Sequence, residues 1–214
     1  MKSYFIKTPN WVKRIFKNRI WSFTSKEKNI YLTFDDGPTP NITEWVLQEL
    51  KKYNAKATFF CIGKNIENHP HIFNQIIEEG HSVGNHTHNH LNGFKCNTVS
   101  YIENVVLAEK EIERNVPNNK ISKLFRPPYG KLKFSEANKL RKKGYKIIMW
   151  DVLSADFDTE ISEEKCLQNV LKNTVNGSII VFHDSIKASK KLQYVLPKVL
   201  EFYNAKGINF AKII

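Results

Sequence analysis

Ile30-Tyr-Leu-Thr-Phe34, followed at once by Asp35-Asp36-Gly37-Pro38, reads as a short apolar strand that runs into two acidic residues and a turn. Adjacent carboxylates at the end of a buried strand repel each other and lose hydration, so something must compensate them; a divalent metal and an arginine would do so. Further along the chain the same succession recurs. Apolar runs at 57–62, 82–85, 124–126, 146–150, 178–182 and 208–211 read as strands. Between them lie segments with helical spacing. Ile42, Trp45, Val46, Leu50 and Tyr53 form one. Ile72, Phe73, Ile76 and Ile77 form another, closed by Gly80, and the stripe from Leu192 to Tyr203 is closed by Gly207. Gly144 and Gly177 are read as ending helical stretches in the same way.

This alternation of about seven strands with helices predicts an α/β domain built on a parallel sheet with helices outside. Polar groups decide between an open sheet and a barrel. Asp35 and Asp36, His86 to His90, Arg126 to Gly130, Asp151 and Asp156, and His183 and Asp184 follow five different strands. Such ends converge on one face only in a barrel, so a distorted (β/α) barrel is expected.

The chain has 214 residues and a formal net charge of +12. Residues 1–28 carry eight Lys/Arg against the single acid Glu27, so the excess sits in an N-terminal leader rather than in a groove. That distribution argues against a nucleic-acid-binding module, and no nucleic acid is expected as a partner. No apolar run exceeds about four residues, too short to span a bilayer. The first residues also lack the apolar stretch of a secretory signal, so the reading is a cytoplasmic chain, with membrane association or the cell envelope as the alternatives.

Residues 1–24 are taken as the basic leader and 25–214 as the main domain. Val12, Phe16 and Ile20 form one helical stripe in the leader, with Trp11 and Ile15 beside it. Packing of that stripe on the domain is expected; a weak membrane-surface contact through residues 11–21 is the other reading. Cys61, Cys96 and Cys166, an odd count without C-x-x-C spacing, argue against a disulfide framework and against a structural zinc knot.

Six of the seven histidines fall between His69 and His90. His69 and His71 flank Pro70 at an expected helix start and are read as surface residues. In the run from His86 to His90, one helical turn would bring His86 and His90 to the same side and point His88 away, which with nearby carboxylates favours a metal site. Residues 35 and 36, adjacent on an extended strand, should project oppositely and have different tasks. That geometry disfavours a glycosidase pair, whose carboxyls flank one bond at about 5–9.5 Å.

In these residues the chain resembles the polysaccharide deacetylase family, the NodB-homology domains of carbohydrate esterase family four, over roughly residues 25–214. Its motifs are matched in order by Thr33-Phe-Asp-Asp-Gly-Pro38, His86-Thr-His-Asn-His90, Arg126-Pro-Pro-Tyr-Gly130, Ser154-Ala-Asp-Phe157 and Val181-Phe-His183. The resemblance implies that Asp36, His86 and His90 bind one divalent metal, zinc foremost, with cobalt, manganese, nickel or iron as alternatives. It makes Asp35 the general base, held by Arg126, and His183 the general acid, set by Asp156. Tyr129, Pro128, Phe157 and Val181 would form the oxyanion and substrate-binding surface, with the Tyr129 backbone N–H as the oxyanion donor. Phe157 stands where the family usually has Trp. Leu153 stands where many members carry an acid, leaving Asp156 and Asp151 as local carboxylates. The expected activity is removal of N-acetyl groups from an N-acetylglucosamine-type oligomer or polymer, a chitin oligosaccharide or a peptidoglycan-like chain, by a monomer. The alternatives on the same scaffold are an O-acetyl esterase and a deformylase of an aminosugar.

Overall fold

The computed structural model describes residues 4–24, 27–116 and 122–214. The boundary expected after residue 24 falls at residues 25–26, outside that description, as do Lys2 and Lys26 of the leader. Helix α1 (Asn10–Ile15) precedes β1 (Asn29–Asp35), α2 (Ile42–Lys52), β2 (Thr58–Cys61), α3 (Gly63–Asn68) and α4 (Pro70–Glu78). Then come β3 (Ser82–Asn85), α5 (Thr98–Asn115), β4 (Leu124–Phe125), α6 (Phe134–Lys142), β5 (Lys146–Ile147) and β6 (Val152–Leu153). The chain ends with α7 (Glu163–Asn173), β7 (Ile179–His183), α8 (Ser189–Ala205) and β8 (Asn209–Phe210).

Seven parallel strands run in the order β5-β4-β3-β2-β1-β7-β6, and β8 pairs with the start of β1. They curl into a half-barrel with helices outside, the expected fold class. One strand differs from the expectation. Residues 146–150 do not form a single strand: β5 ends at Ile147, and a two-residue β6 takes the far edge of the sheet. Two residues bounded by Asp151 and Ser154 are too short to show a period of two. Gly177 also departs from its expected place, because α7 has already ended at Asn173. It lies in the turn into β7 at φ 83°, where a Cβ would come within 1.8 Å of the Phe23 carbonyl oxygen.

Side-chain parity along the strands separates two cores. Leu32, Phe34, Phe59, Ile180 and Phe182 face the helices and pack with the apolar stripes of α2, α4, α7 and α8. Phe60, Leu124, Ile148 and Ile179 cluster with Ile213 as the floor of the half-barrel. Thr33, Asp35, Arg126 and His183 stand toward the strand C-terminal ends, where the polar residues gather.

The half-barrel leaves β5 and β6 as edges, which the N-terminal segment covers. Ile20 N donates to Ile147 O (2.8 Å), and Ile20 O accepts from Met149 N (2.7 Å). On the β6 side, Leu153 N donates to Ile6 O (2.8 Å) and Thr8 N to Asp151 O (2.9 Å). The segment is thus held by backbone pairing as well as by the expected stripe: Val12 and Phe16 pack against the cluster that holds Trp21, Leu132 and Met149, and Ile20 against that of Ile148 and Ile179. Helix α1 spans six residues, Ile20 lies beyond it in an extended bridge, and Trp11 and Ile15 are exposed rather than docked. Trp21 is the aromatic that is buried. Asp151, expected among the carboxylates of the site, turns instead to this segment. Lys7 and Lys13 each reach it at 2.5 Å, and Ser178 Oγ donates to it at 2.6 Å.

Removing residues 1–24 therefore strips both ammonium groups from a buried carboxylate and uncovers Trp21. Breaking a buried pair costs about 3–5 kcal/mol, so the truncated chain is expected to melt well below the full one. An unchanged melting temperature would show that the segment contributes nothing to the fold. No helix among the described residues is long and apolar enough to cross a membrane.

Candidate active site

Asp35 is the last residue of β1, opposite Phe60 of β2 and His183 of β7. Its Oδ1 accepts from Arg126 Nη1 at 2.6 Å. Arg126 is wholly buried, stacks 4.1 Å over the Phe60 ring, and also donates to Thr33 Oγ1, Ile148 O and Met149 O. Strand alternation is not what separates the two aspartates. The strand ends at Asp35, and Asp36 turns away at φ 83°. Its carboxylate meets His90 Nε2 at 3.2 Å and His86 Nε2 at 3.7 Å.

His86 and His90 do not sit on a helical turn, as the four-residue spacing led us to expect. They flank an irregular loop in which Thr87 and His90 have positive φ, 63° and 53°. Buried amides shape that loop. Asn85 Oδ1 accepts from Thr87 N (2.8 Å) while its Nδ2 donates to Val105 O of α5 (2.8 Å). Asn104 Oδ1 accepts from both His88 N and Asn89 N at 2.9 Å. The His86 and His90 rings consequently face each other with centroids 5.2 Å apart, and His88 points away, 3.8 Å from Glu67.

One donor atom each from Asp36, His86 and His90 lies within 4.8 Å of the other two, a spacing that suits a single metal ion. Two observations test the fit. Asp36 Oδ1 is buried and receives no hydrogen bond, an acceptor left for a cation. His86 Nδ1 lies 2.7 Å from Arg126 O, so it carries the proton and leaves the Nε2 lone pair directed at Asp36. Electrostatics agree. Burial pushes the His86 imidazole down to about 4, only partly offset by Asp35, so the ring is neutral at neutral pH. Burial opposes charge on Asp36, but the imidazoles of His90, His183 and His86 beside it hold it below the usual carboxylate range. The donor set fits a divalent ion.

His183 closes the other side. Asp156 accepts from the His183 backbone N through Oδ2 and from ring Nδ1 through Oδ1, both at 2.8 Å. Burial alone disfavours a charged ring, but the Asp156 carboxylate overrides it and lifts His183 to about 9. Phe157 packs edge-on against His183 at 5.2 Å, and Tyr129, at φ 59°, packs on His90 at 4.6 Å. Pro128 is buried under that turn, and Val181 lies buried two residues before His183 on β7. Asp36, Thr87, His90, Tyr129 and Ala155 are five of the seven non-glycine residues with positive φ among those described. Backbone strain is thus concentrated around one site.

Residues 23–148 match the polysaccharide deacetylase family. The chain belongs to that family. A peptidoglycan-N-acetylglucosamine deacetylase of Bacillus cereus is 32% identical over 194 residues, 90% of each chain. A chitooligosaccharide deacetylase of Azorhizobium caulinodans is 32% identical over 161 residues, 75% of this chain and 76% of that one. The crystal structure of the Bc1960 peptidoglycan N-acetylglucosamine deacetylase superposes with a TM-score of 0.86 at 31% identity, covering 96% of this chain and 95% of the other. These relatives are hydrolases acting on carbon–nitrogen bonds.

In this polysaccharide deacetylase, three residues to which the sequence assigns no task support the site, Asp184 being placed only among the polar strand ends. Asn85 and Asn104 carried a faint signal, being amides at the end of a buried strand and on the apolar face of an amphipathic helix. Asp184 carried a stronger one, an acid directly after a strand. It is fully buried, and accepts from Gly37 N (3.1 Å) and Thr43 Oγ1 (2.5 Å), pinning the turn that presents Asp36. Burial raises its carboxyl to about 7. Asp184→Ala leaves both donors unpaired, at about 1–3 kcal/mol each. Calorimetric melting is expected to fall accordingly; a shift within error would mean that other groups hold the turn.

Proposed function

We propose that the chain removes N-acetyl groups from N-acetylglucosamine units of an oligomer or polymer, with one divalent ion, zinc, held by Asp36, His86 and His90. The carrying observation is that a metal-type donor set lies between an arginine-held carboxylate and an aspartate-held imidazole, on the paired ends of β1 and β7. When bound, the ion supplies Lewis acidity that polarises the acyl carbonyl and acidifies water.

The chain's own residues do the rest. Asp35, oriented by Arg126, takes the proton of the attacking water. Arg126 acts twice, because its guanidinium orients Asp35 while its carbonyl fixes the tautomer of His86. The Tyr129 turn, with Pro128 beneath it, presents backbone N–H to the developing oxyanion. His183, whose Nδ1–H is taken by Asp156, keeps Nε2–H for the departing nitrogen, which cannot leave as an anion. Phe157 supplies apolar surface beside the acyl group, and Val181, buried two residues before His183, backs that end of β7.

The test is acetate release from N-acetylglucosamine oligomers by protein with and without chelator, followed by zinc. Activity is expected to vanish with chelator and return with zinc. Undiminished release after complete removal of metal, or release of another acyl group only, overturns the reading.

A further inference from the structure

Trp11 and Ile15 lie four residues apart on α1, on one side of that helix, and the domain covers neither. Phe5 packs edge-on against Trp11. Phe5 also lines a groove of about 510 Å³ whose other wall carries Phe94, Tyr129 and Phe134. Ile15 and Phe134 meet again along a smaller cleft between α1 and α6, and Phe16 stacks on Phe134 to join the two walls. The six side chains Phe5, Trp11, Ile15, Phe94, Tyr129 and Phe134 are each more than half exposed. They are half of the large apolar side chains that stand exposed among the described residues. Such residues scattered singly mean little, but gathered on one face they mark an interaction surface.

Cations surround these side chains, and acids are nearly absent. Residues 4–24, 91–102 and 127–143, which build both walls, contain twelve Lys and Arg and a single acid, the buried Glu136. Each of the six exposed apolar residues has a Lys or Arg within three positions of it. Lys7 and Lys13 are committed to Asp151, and Lys133 has Glu136 at 3.8 Å. Arg14, Lys17, Lys95 and Lys131 are exposed and have no carboxylate at ion-pair distance among the described residues. The face therefore keeps its positive potential.

This mixture selects among occupants. The apolar centre of a protein interface is depleted of Lys, so a centre set with ammonium groups suits one poorly. A nucleic-acid strand uses flat rings as stacking platforms and has no such use for the aliphatic Ile15. A bilayer with anionic headgroups takes both parts. Protruding aromatic and aliphatic side chains settle at the boundary between headgroups and acyl chains, while Lys and Arg beside them meet the lipid phosphates.

We propose that this face docks on an anionic lipid bilayer. Phe5, Trp11, Ile15, Phe94 and Phe134 enter the headgroup region, and Arg14, Lys17, Lys95 and Lys131 lie at the phosphates. The contact extends well beyond the N-terminal segment, since half of it comes from the turn before α5 and from the start of α6. Tyr129 belongs to the same rim and packs on His90, so docking holds the mouth of the candidate site beside the membrane surface.

The test is co-sedimentation of the full chain, in chelator and without substrate, so that its outcome is independent of the deacetylase reading. Phosphatidylcholine vesicles are compared with vesicles in which about a third of the lipid is phosphatidylglycerol. Wild-type protein is expected to bind the anionic vesicles about tenfold more tightly or better, with the preference shrinking as salt rises. Trp11→Ser/Phe134→Ser and Arg14→Glu/Lys17→Glu alter exposed side chains, so both variants should fold, as a melt checks. Each is expected to lose about tenfold on the anionic vesicles. Tyr194→Ala, which removes an exposed ring on α8 outside this face, should bind as wild type does; a loss equal to theirs would place the contact elsewhere, against the proposal. Equal wild-type binding to the two kinds of vesicle, or undiminished binding by both double variants, overturns it. Binding to duplex DNA as tight as to the vesicles and unaffected by Trp11→Ser/Phe134→Ser would make the face a polyanion site instead. Sedimentation with insoluble peptidoglycan but not with vesicles would make it a substrate surface, and either result sinks the membrane contact.

Discussion

Asp35→Asn is expected to lower deacetylation by about 10²- to 10⁴-fold, the usual cost of losing a general base, with the metal content of the folded protein unchanged. Asp36→Asn is expected to lower metal affinity by more than the roughly 10- to 100-fold that loss of a residue supporting a ligand costs. The two substitutions are chemically identical and adjacent, so any difference between them comes from where each carboxylate points. Asp35 faces Arg126 at 2.6 Å, whereas Asp36 faces the two imidazoles with an oxygen that accepts no hydrogen bond.

A second difference follows from burial. Asp35→Asn leaves the wholly buried Arg126 without its counter-charge, although the amide oxygen and the Thr33, Ile148 and Met149 acceptors remain. Its melting temperature should fall, since uncovering one member of a buried pair costs about 3–5 kcal/mol and the retained hydrogen bonds offset only part of that. Elemental analysis per folded molecule, beside turnover and a melt, separates the effects. Equal metal content and equal residual activity in the two variants would contradict the division of labour.

What the sequence made legible follows from how local each feature is. The parallel half-barrel could be read because its strands are apolar runs and its helices carry unmistakable stripes, as in α8 from Leu192 to Tyr203. The meeting of polar residues at one mouth could be read because each of those residues ends a strand or follows one within a few positions. Features depending on backbone exceptions were misread. The four-residue spacing of His86 and His90 pointed to a helical turn. Their meeting is produced instead by positive φ at Thr87 and His90, with Asn85 and Asn104 bonding the loop amides. Likewise, alternation along a strand could not foresee that β1 stops at Asp35 and that Asp36 turns out of it.

The N-terminal segment illustrates the other limit. An amphipathic stripe from Val12 to Ile20 implied a helix docked through its side chains. Val12, Phe16 and Ile20 do pack on the domain, but the helix ends at Ile15, and pairing of Ile20 and residues 6–8 with the sheet edges is added because β5 and β6 present unpaired backbone groups that a nearby extended segment satisfies. Which edge a segment covers depends on contacts more than a hundred residues apart. Asp151 shows the same thing, since a carboxylate that follows a strand looks catalytic until Lys7 and Lys13 are seen to hold it.

His183→Ala is expected to lower turnover on N-acetyl substrates by about 10²- to 10⁴-fold, and Asp156→Asn to move the pH profile rather than abolish activity. An acid catalyst must carry its proton when the carbon–nitrogen bond breaks. With Asp156 holding its Nδ1–H, His183 titrates near 9, so it is protonated throughout the neutral range. The sign follows directly: activity that requires protonated His183 is full below that value and falls as pH rises through it. Asp156→Asn removes the negative charge favouring the imidazolium, and burial then lowers the pKa, so the alkaline limb should move toward lower pH. The acid limb should remain where it was, because it requires loss of a proton elsewhere. Coupled groups share their titration, and the limb is therefore assigned by comparing the variants rather than from one profile. An alkaline limb identical in Asp156→Asn and wild type would exclude His183 as its source. Near-normal turnover by His183→Ala on an amide would go further, since an amine leaving group needs a proton and an alkoxide much less so. The site would then suit esters, and the assignment to N-acetyl groups would have to be given up.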